Sequence, residues 1–408
     1  MRYGIQGKHI VLGVSGGIAA YKSAELLRLM VKQEALVRVM MTENAGRFVG
    51  PMTFEALSNQ RVCQTLFESS DEAAVQHIYW AQEADAVVIA PATANIIGKV
   101  AGGIADDALS TFMLAVTCPV LICPAMNTHM YENPAVQRNL ETLKTYGHAI
   151  LTPEAGELAC GTTGPGRLPD PPFILDTLRT LLTPKDFTGR NVLVTAGPTR
   201  EALDPVRFIT NPSTGKMGYA IARAAAMRGA RVTLVSGPTT LAPPHDVTPI
   251  RVTNAAEMAD AVLALMDDQH VIIKTAAVSD FRPAHISDLK VKKQEAQLDL
   301  RLERTQDILK TVGERKKKEQ FLVGFAAETH DLDTYATRKL ETKHLDMIVG
   351  NLVNTPDSGF SADTNRAVFY FRDGTREAVD VMPKADMGHV LLDRIAVRLQ
   401  RETASLDK

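Results

Sequence analysis

Short apolar runs alternate with longer amphipathic stretches along most of the chain. HIVLGV (9–14) is the first run; SGG breaks it before the helical pattern IAAYKSAELLRLMVKQ (18–33). LVRVMMT (36–42) and ADAVVIA (84–90) read as further strands, the second leading into PATANIIGKVAGGIADDALSTFMLA. PVLICPA and GHAIL follow, and a helix over 173–182 closes the series. Residues 183–189 read as a connector, after which the pattern restarts. NVLVTAGPT, RVTLVSGP and HVIIKTAAV are strands; KMGYAIARAAAMRG, ending at Gly229, and AAEMADAVLALM are helices. Strands separated by helices predict parallel pairing with helices on both faces. The expectation is α/β: two successive doubly wound domains, residues 1–187 and 188–408.

Composition narrows this modestly. A chain of 408 residues is too long for one hydrophobic core. Net charge is −2, which gives no electrostatic footprint for nucleic acid or an anionic membrane. No apolar run approaches the roughly 18 residues of a membrane helix. The four cysteines form no CxxC pair, so a reducing compartment, the cytoplasm, is expected. Cys118 and Cys123 flank the apolar VLI and read as small core residues. ERKKKEQ (314–320) reads as a solvated helix face.

In open parallel sheets ligands bind beyond the carboxyl ends of strands, and the candidate chemistry sits there. Ser15, Gly16 and Gly17 place backbone N–H groups at a helix start, which suits a phosphate, although a tight turn explains them equally well. A full G-x-G-x-x-G is missing, which argues against an NAD-dependent dehydrogenase. Thr42 reads as a helix cap or a ligand contact. Thr93, Asn95, Lys99, Asp106 and Asp107 form a dense polar set after one strand. His77 opens a helix, and Asn127 follows a strand in PAMN, where a turn role competes. Cys160 lies in ELACGTTGPGR, a glycine-rich loop that cannot hold a helix or a central strand.

SGGIAAYK, the His77 segment, PATANIIGK, PAMN and ACGTTGPGR, in that order, resemble the flavin-containing cysteine decarboxylases over about residues 6–182. The resemblance implies FMN, held by Ser15, Gly16, Gly17, Thr42, Thr93 and Asn95 between subunits of a trimer. It implies that FMN oxidises the substrate's cysteine moiety to a thioaldehyde, whose C=S accepts electrons as carbon dioxide leaves. His77 matches the histidine of the oxidative step, Asn127 the carboxylate-binding asparagine, and Cys160 the thiol that donates the final proton. Gly17 departs from a common serine. The presence of His77, Asn127 and Cys160 together argues against a regulatory, non-enzymatic flavoprotein.

The second half carries a long polar loop, 199–215, with Arg207 and Asn211. TAAVSDFRP brings Asp280, DLKVKK brings Lys290, Lys292 and Lys293, and two lysines, Lys339 and Lys343, stand four apart on a helix. Converging cations suit a triphosphate; ordinary surface lysines are the rival. TAGPTREALDPVRFITN, GKMG, AAVSDFRP, KVKK and GFAAET resemble the bacterial, CTP-using phosphopantothenate–cysteine ligases from about 188 to 400. The resemblance implies substrates 4′-phosphopantothenate, cysteine and CTP, with Mg2+ and an acyl-cytidylate. It places CTP on Lys274, Thr275, Ala276, Asp280, Lys290, Gln306, Asp307, Ile308, Leu309, Phe325, Lys339 and Lys343, with Asp280 also at the metal. Asn211 and Arg207 meet the acyl substrate, and Lys290 activates it. Pro212 and Thr214 depart from the usual pattern. The ligase product is the decarboxylase substrate, and trimeric and dimeric packing of the halves imply a homododecamer.

Overall fold

The structure is a computed structural model; it describes residues 4–66, 76–158, 161–291, 300–328, 330–352 and 362–406. The chain divides into two compact units, Met1–Thr183 and Pro184–Lys408.

The first unit is built on strands β1 (His9–Val14), β2 (Leu36–Met41), β3 (Ala86–Ala92), β4 (Val120–Pro124) and β5 (Ala149–Ile150). They form one parallel sheet in the order β2-β1-β3-β4-β5. β1 and β3 are almost wholly buried, as strands covered on both faces must be. Helices α1 (Ala20–Lys32), α2 (Pro51–Ser58) and α8 (Pro171–Leu182) bury Leu26, Leu27, Phe54, Ile174 and Leu178 against one face. On the other lie α3 (Gln76–Glu83), α4 (Ala94–Gly102), α5 (Ala108–Ala115) and α7 (Pro134–Thr145), with Trp80, Ile97, Phe112 and Leu143. The sequence pattern after ADAVVIA suggests one helical stretch, but α4 ends at Gly103, whose φ of +67° suits a glycine stop.

The glycine-rich segment holds more structure than its composition suggests. β6 (Glu154–Glu157) and β7 (Thr163–Arg167) pair as an antiparallel ribbon outside the main sheet. It is anchored on the chain just past β4, where Met126 N–H donates to the Gly166 carbonyl at 3.0 Å. A Cβ on Gly166, whose φ is +142°, would stand 2.2 Å from the Met126 carbonyl oxygen. Only glycine permits that approach. Cys160, in the turn of this ribbon, lies outside the described residues.

In the second unit six parallel strands come first: β8 (Asn191–Ala196), β11 (Arg231–Ser236), β12 (Val247–Arg251), β13 (Val271–Lys274), β16 (Phe321–Glu328) and β17 (Met347–Leu352). Their order is β12-β11-β8-β13-β16-β17, so the chain reverses direction across the sheet between β8 and β13. Two antiparallel strands that the sequence pattern does not announce, β18 (Thr364–Phe371) and β19 (Arg376–Pro383), complete this edge. Helices α9 (Lys216–Met227) and α13 (Lys384–Leu406) cover one face with Ile221, Ala225, Leu391 and Ile395. α10 (Ala255–Leu265), α11 (Ile308–Arg315) and α12 (Leu332–Thr342) cover the other with Met258, Val262, Val312 and Leu340. Two short ribbons, β9 (Arg200–Ala202) with β10 (Phe208–Thr210) and β14 (Phe281–Pro283) with β15 (Leu302–Arg304), stand outside the sheet.

Two sequence readings need correction here. The connector is tied down: Phe187 is fully buried in the second core, and Arg228 donates to Asp186 while its guanidinium covers the Phe187 ring. A buried side chain of this size contributes about 1.5–3 kcal/mol. The lysine run is not a solvated face. α11 stops at Arg315, and the Lys316 ammonium is buried against Asp346 at 2.8 Å. Gln320, also buried, donates to the Met266 and Gln269 carbonyls. Charge alone does not report burial when each cation finds a partner.

Candidate functional sites

In the first unit the chain leaves β1 on one side and β3 on the other, which opens a crevice at their carboxyl ends. Ser15 sits there, buried, but its hydroxyl is spent internally: it donates to the Pro91 carbonyl at 2.8 Å and accepts from Thr93 N–H at 2.9 Å. It therefore ties the two loops together. A Cβ on Gly16 would lie 2.5 Å from Asn44 Cβ, so the loop is closed to any side chain there. At Gly17 the nearest atom is Thr93 Cγ2 at 3.5 Å, which leaves room for the serine that the position tolerates elsewhere. Thr42 and Thr93 both occupy helix-cap positions, yet neither side chain makes a capping bond. Asn95 is exposed on the first turn of α4.

The rest of the polar set after β3 faces inward on itself. Lys99 pairs with Asp106 at 2.6 Å and Asp107 at 2.7 Å, and Asp107 caps α5 through Ser110 N–H. The two carboxylates raise the lysine above its ordinary range. These three residues build the turn rather than present donors to a ligand.

Asn127 Oδ1 accepts from His129 N–H at 2.9 Å and so caps the short helix α6 (Thr128–Glu132). Its Nδ2 reaches Thr162 Oγ1, 3.4 Å away on the ribbon. The turn role and the site role thus use different ends of one amide. His77 lies on α3, which packs against α5; its Nδ1 is buried and finds no hydrogen-bond partner among the described residues. Such an atom is costly unless a ligand or partner satisfies it. The glycine cradle at Gly16, the two uncommitted threonine hydroxyls and the orphaned imidazole nitrogen together fit a phosphate-bearing cofactor.

The second unit has a cavity of about 690 Å³ across the carboxyl ends of its central strands. Asn211, Lys274, Thr275, Ala276, Asp280 and Gln306 line it, as do Asp307, Ile308, Leu309, Phe325, Lys339 and Lys343. Gly218 brings α9 against the strands: a Cβ there would meet Thr275 Oγ1 at 2.5 Å. Thr275 Oγ1 in turn donates to the Thr195 carbonyl, which fixes the β13 exit loop to β8. Asn211 spends its Nδ2 on the Ala277 and Val278 carbonyls, both at 3.2 Å. Its carbonyl oxygen is therefore the end left for chemistry.

The cations of this cavity are differently balanced. Lys343 pairs with Asp307 at 2.9 Å and Lys339 with Glu328 at 2.7 Å. Burial pushes the Asp307 carboxyl up, but Lys343 and the Lys310 N–H outweigh it and hold it low. Lys274 ends β13, buried, with no hydrogen bond or ion pair among the described residues. Burial, aided by the nearby Lys343 charge, brings its ammonium down to about 8. Among the described residues there is no cluster of three or more acidic, histidine or cysteine side chains set to hold a metal.

Arg207 and Lys290 do not line this cavity. Arg207 is held by the buried Asp204, and its Nη2 also donates to the Val291 carbonyl at 2.8 Å. Val291 N–H returns a bond to Asp204 at 3.1 Å. The guanidinium keeps the Asp204 carboxyl far below the usual range. Arg207 thereby anchors the arm on which exposed Lys290 stands; Lys292 and Lys293 lie outside the described residues. Sequence reading misses Lys216, Asn351, Asn365 and Lys384, which also line the cavity. They come from late strands and helix starts that carry no recognisable motif.

Two α/β units, each with a polar crevice at its strand ends, define a two-site enzyme of the flavoprotein class. Residues 2–183 match the Flavoprotein family, and residues 187–399 match the family described as DNA/pantothenate metabolism flavoprotein C-terminal domain. The chain is 49% identical over 403 residues to the coenzyme A biosynthesis bifunctional protein CoaBC of Bacillus subtilis, covering 98% of this chain and 99% of that one. It is 45% identical over 398 residues to CoaBC of Escherichia coli K12, covering 97% and 98%. A crystal structure of the C-terminal domain of a CoaBC protein shares 43% identity, with a TM-score of 0.46, over 53% of this chain and 99% of that one. The chain belongs to the coenzyme A biosynthesis bifunctional protein family. It is a bifunctional enzyme, a decarboxylase joined to a ligase. No described helix is long and apolar enough to cross a membrane.

Proposed function

We propose that the second unit joins 4′-phosphopantothenate to cysteine at the expense of CTP, and that the first decarboxylates the product to 4′-phosphopantetheine. The observation that carries this reading is the convergence of Asn211, Lys274, Asp280, Asp307, Lys339 and Lys343 on one cavity. In the ligase the substrate carboxylate attacks the α-phosphorus of CTP and pyrophosphate leaves. The cysteine amine then attacks the acyl carbon and CMP leaves. The lysines offset charge on the phosphates. Asp280, exposed at the rim, supplies the one carboxylate that Mg2+ needs beside phosphate oxygens. The Asn211 carbonyl oxygen faces the work of accepting a proton from the attacking amine, because its N–H groups are committed. Lys290 swings in on an arm anchored by Arg207 and Asp204.

In the first unit Ser15, Gly16, Gly17, Thr42, Thr93 and Asn95 would hold FMN. Bound there, FMN supplies the oxidation of the cysteine moiety and the return of its electrons. Asn127 offers Nδ2 to the substrate carboxylate, exchanging Thr162 for it. His77 works with the oxidative step, and Cys160 delivers a proton from the ribbon turn. The exposed Ile18, Tyr21, Phe48 and Met52 give this unit an apolar surface suited to trimer packing. With a dimeric second unit, twelve copies assemble in a reducing cytoplasm; native mass spectrometry showing any other stoichiometry contradicts that assembly.

Two variants separate the activities. Cys160→Ser releases carbon dioxide but stalls before 4′-phosphopantetheine, while ligation continues. Lys290→Gln lowers ligation by about a hundredfold or more and leaves decarboxylation intact. Equal loss of both activities in either variant contradicts the assignment.

A further inference from the structure

The cavity of the second unit has two cationic ends, and they come from opposite faces of the sheet. Asp307, Lys339 and Lys343 belong to the layer of α11 and α12, whereas Lys216 and Lys384 are the first residues of α9 and α13, on the other face. Between them runs the sheet edge. Asn351 on β17 and Asn365 on β18 stand two and three strands from Lys274 on β13. Three strand spacings amount to roughly 14 Å. All of these residues line the same cavity.

The Lys216 and Lys384 end is built for an anion. A lysine at a helix N-terminus opposes the macrodipole, and here two such ends meet. The Lys384 side chain is buried and donates to the Ala362 carbonyl; its backbone N–H bonds the Asp363 carbonyl at 2.9 Å. Lys216 pairs with Asp363 at 2.6 Å, but that carboxylate is 88% exposed. Asp386 lies in the first turn of α13 and does not line the cavity. Burial, and then Lys216, lower the Lys384 ammonium while Asp363 raises it, so the local field is positive on balance.

Beside the lysines is a buried amide pair. Asn351 Nδ2 donates to Asn365 Oδ1 at 2.7 Å, and Asn365 Nδ2 faces only the Met217 thioether at 3.9 Å. Asn365 is 2% exposed. Asn351 Oδ1 is buried and has no hydrogen-bond partner among the described residues. A buried acceptor left open calls for a ligand N–H or O–H. The end therefore matches a phosphate with a hydroxyl or amide donor a few bonds away. The terminal phosphate of a nucleoside triphosphate has no such donor near it. The phosphopantoate half of 4′-phosphopantothenate has both, together with two methyl groups that suit Met217.

Resting on the ligase reading above, we propose that Lys216, Lys384 and the Asn351–Asn365 pair bind the phosphopantoate half of the acyl substrate, with the phosphate on the two lysines. The nucleotide then occupies the opposite end, and the acyl substrate's carboxylate meets it near Asn211. The site selects a phosphorylated acyl substrate over its unphosphorylated form.

Calorimetric titration of the full-length protein with 4′-phosphopantothenate, pantothenate and CTP tests this without needing turnover. Lys384→Met should weaken 4′-phosphopantothenate by about tenfold to a hundredfold. CTP affinity should stay within about twofold, the preference for the phosphorylated acid should collapse, and Lys384→Arg should restore most of it. Unchanged 4′-phosphopantothenate binding, a loss that falls on CTP, or an equal loss for pantothenate overturns the proposal. Should Lys384→Met unfold the second unit, Lys216→Met, at a more exposed position, carries the same comparison. A wild-type protein that binds the phosphorylated acid selectively but ligates nothing would sink the ligase reading and leave the subsite standing.

Discussion

Lys274 shows how a single residue can hold a cost for the sake of a site. Burial holds its ammonium at about 8, against an ordinary 10.5. The unfolded chain therefore binds the extra proton between about pH 8 and pH 10.5, and stability of the second unit rises with pH across that window. Lys274→Met should abolish that rise and give a second unit that is more stable at pH 7, at the expense of nucleotide affinity. Melting curves across the window check the first claim; a rise that persists in the variant contradicts it. A bound polyphosphate should pull the ammonium back up, so CTP binding at pH 8 should take up a proton. Titrations in two buffers of different ionisation enthalpy read that uptake directly. Arg207 teaches a complementary lesson. Its sequence context marks it as a substrate contact, yet its fork is filled by Asp204 and Val291. The residue type was legible, but the partner, 84 positions downstream, was not.

Among elements, the ribbon β6–β7 matters most. A turn made of glycines and threonines lacks the apolar alternation that marks a strand, so its composition points to a loop. What organises it is a close backbone approach, Gly166 onto Met126, which no pattern of side chains encodes. Gly166→Ala should displace the ribbon from the Met126–Asn127 segment. Strain of this kind costs about 1–3 kcal/mol. Decarboxylation should fall by about tenfold or more while ligation is unaffected; a variant with normal decarboxylation contradicts the anchoring role. The strands β1, β3, β8 and β13 were legible because burial on both faces requires uninterrupted apolar runs. β18 and β19 were not, since an antiparallel edge with one solvated face breaks that run. The lysine run after α11 escaped for a related reason: Asp346, which buries Lys316, comes from a different strand junction.

For the whole molecule, the first five strands and the restart after residue 189 follow from periodicity, and so does the placement of both crevices at strand ends. The cavity of the second unit is a product of the long-range order of the sheet. It gathers the exit of β13, the starts of α9 and α13, and the far strands β17 and β18, which are distant in sequence and carry single polar residues. That is why Lys384 and Asn351 stay silent until the fold is known. The two units join consecutive reactions, with the product of one cavity serving the other crevice.

The most direct test supplies the purified protein with 4′-phosphopantothenate, cysteine, Mg2+ and CTP, with ATP in a parallel reaction, and follows products by mass spectrometry. The account predicts 4′-phosphopantetheine and CMP in the CTP reaction. 4′-Phosphopantothenoylcysteine alone would contradict the decarboxylase half, and no product with either nucleotide would contradict the ligase half.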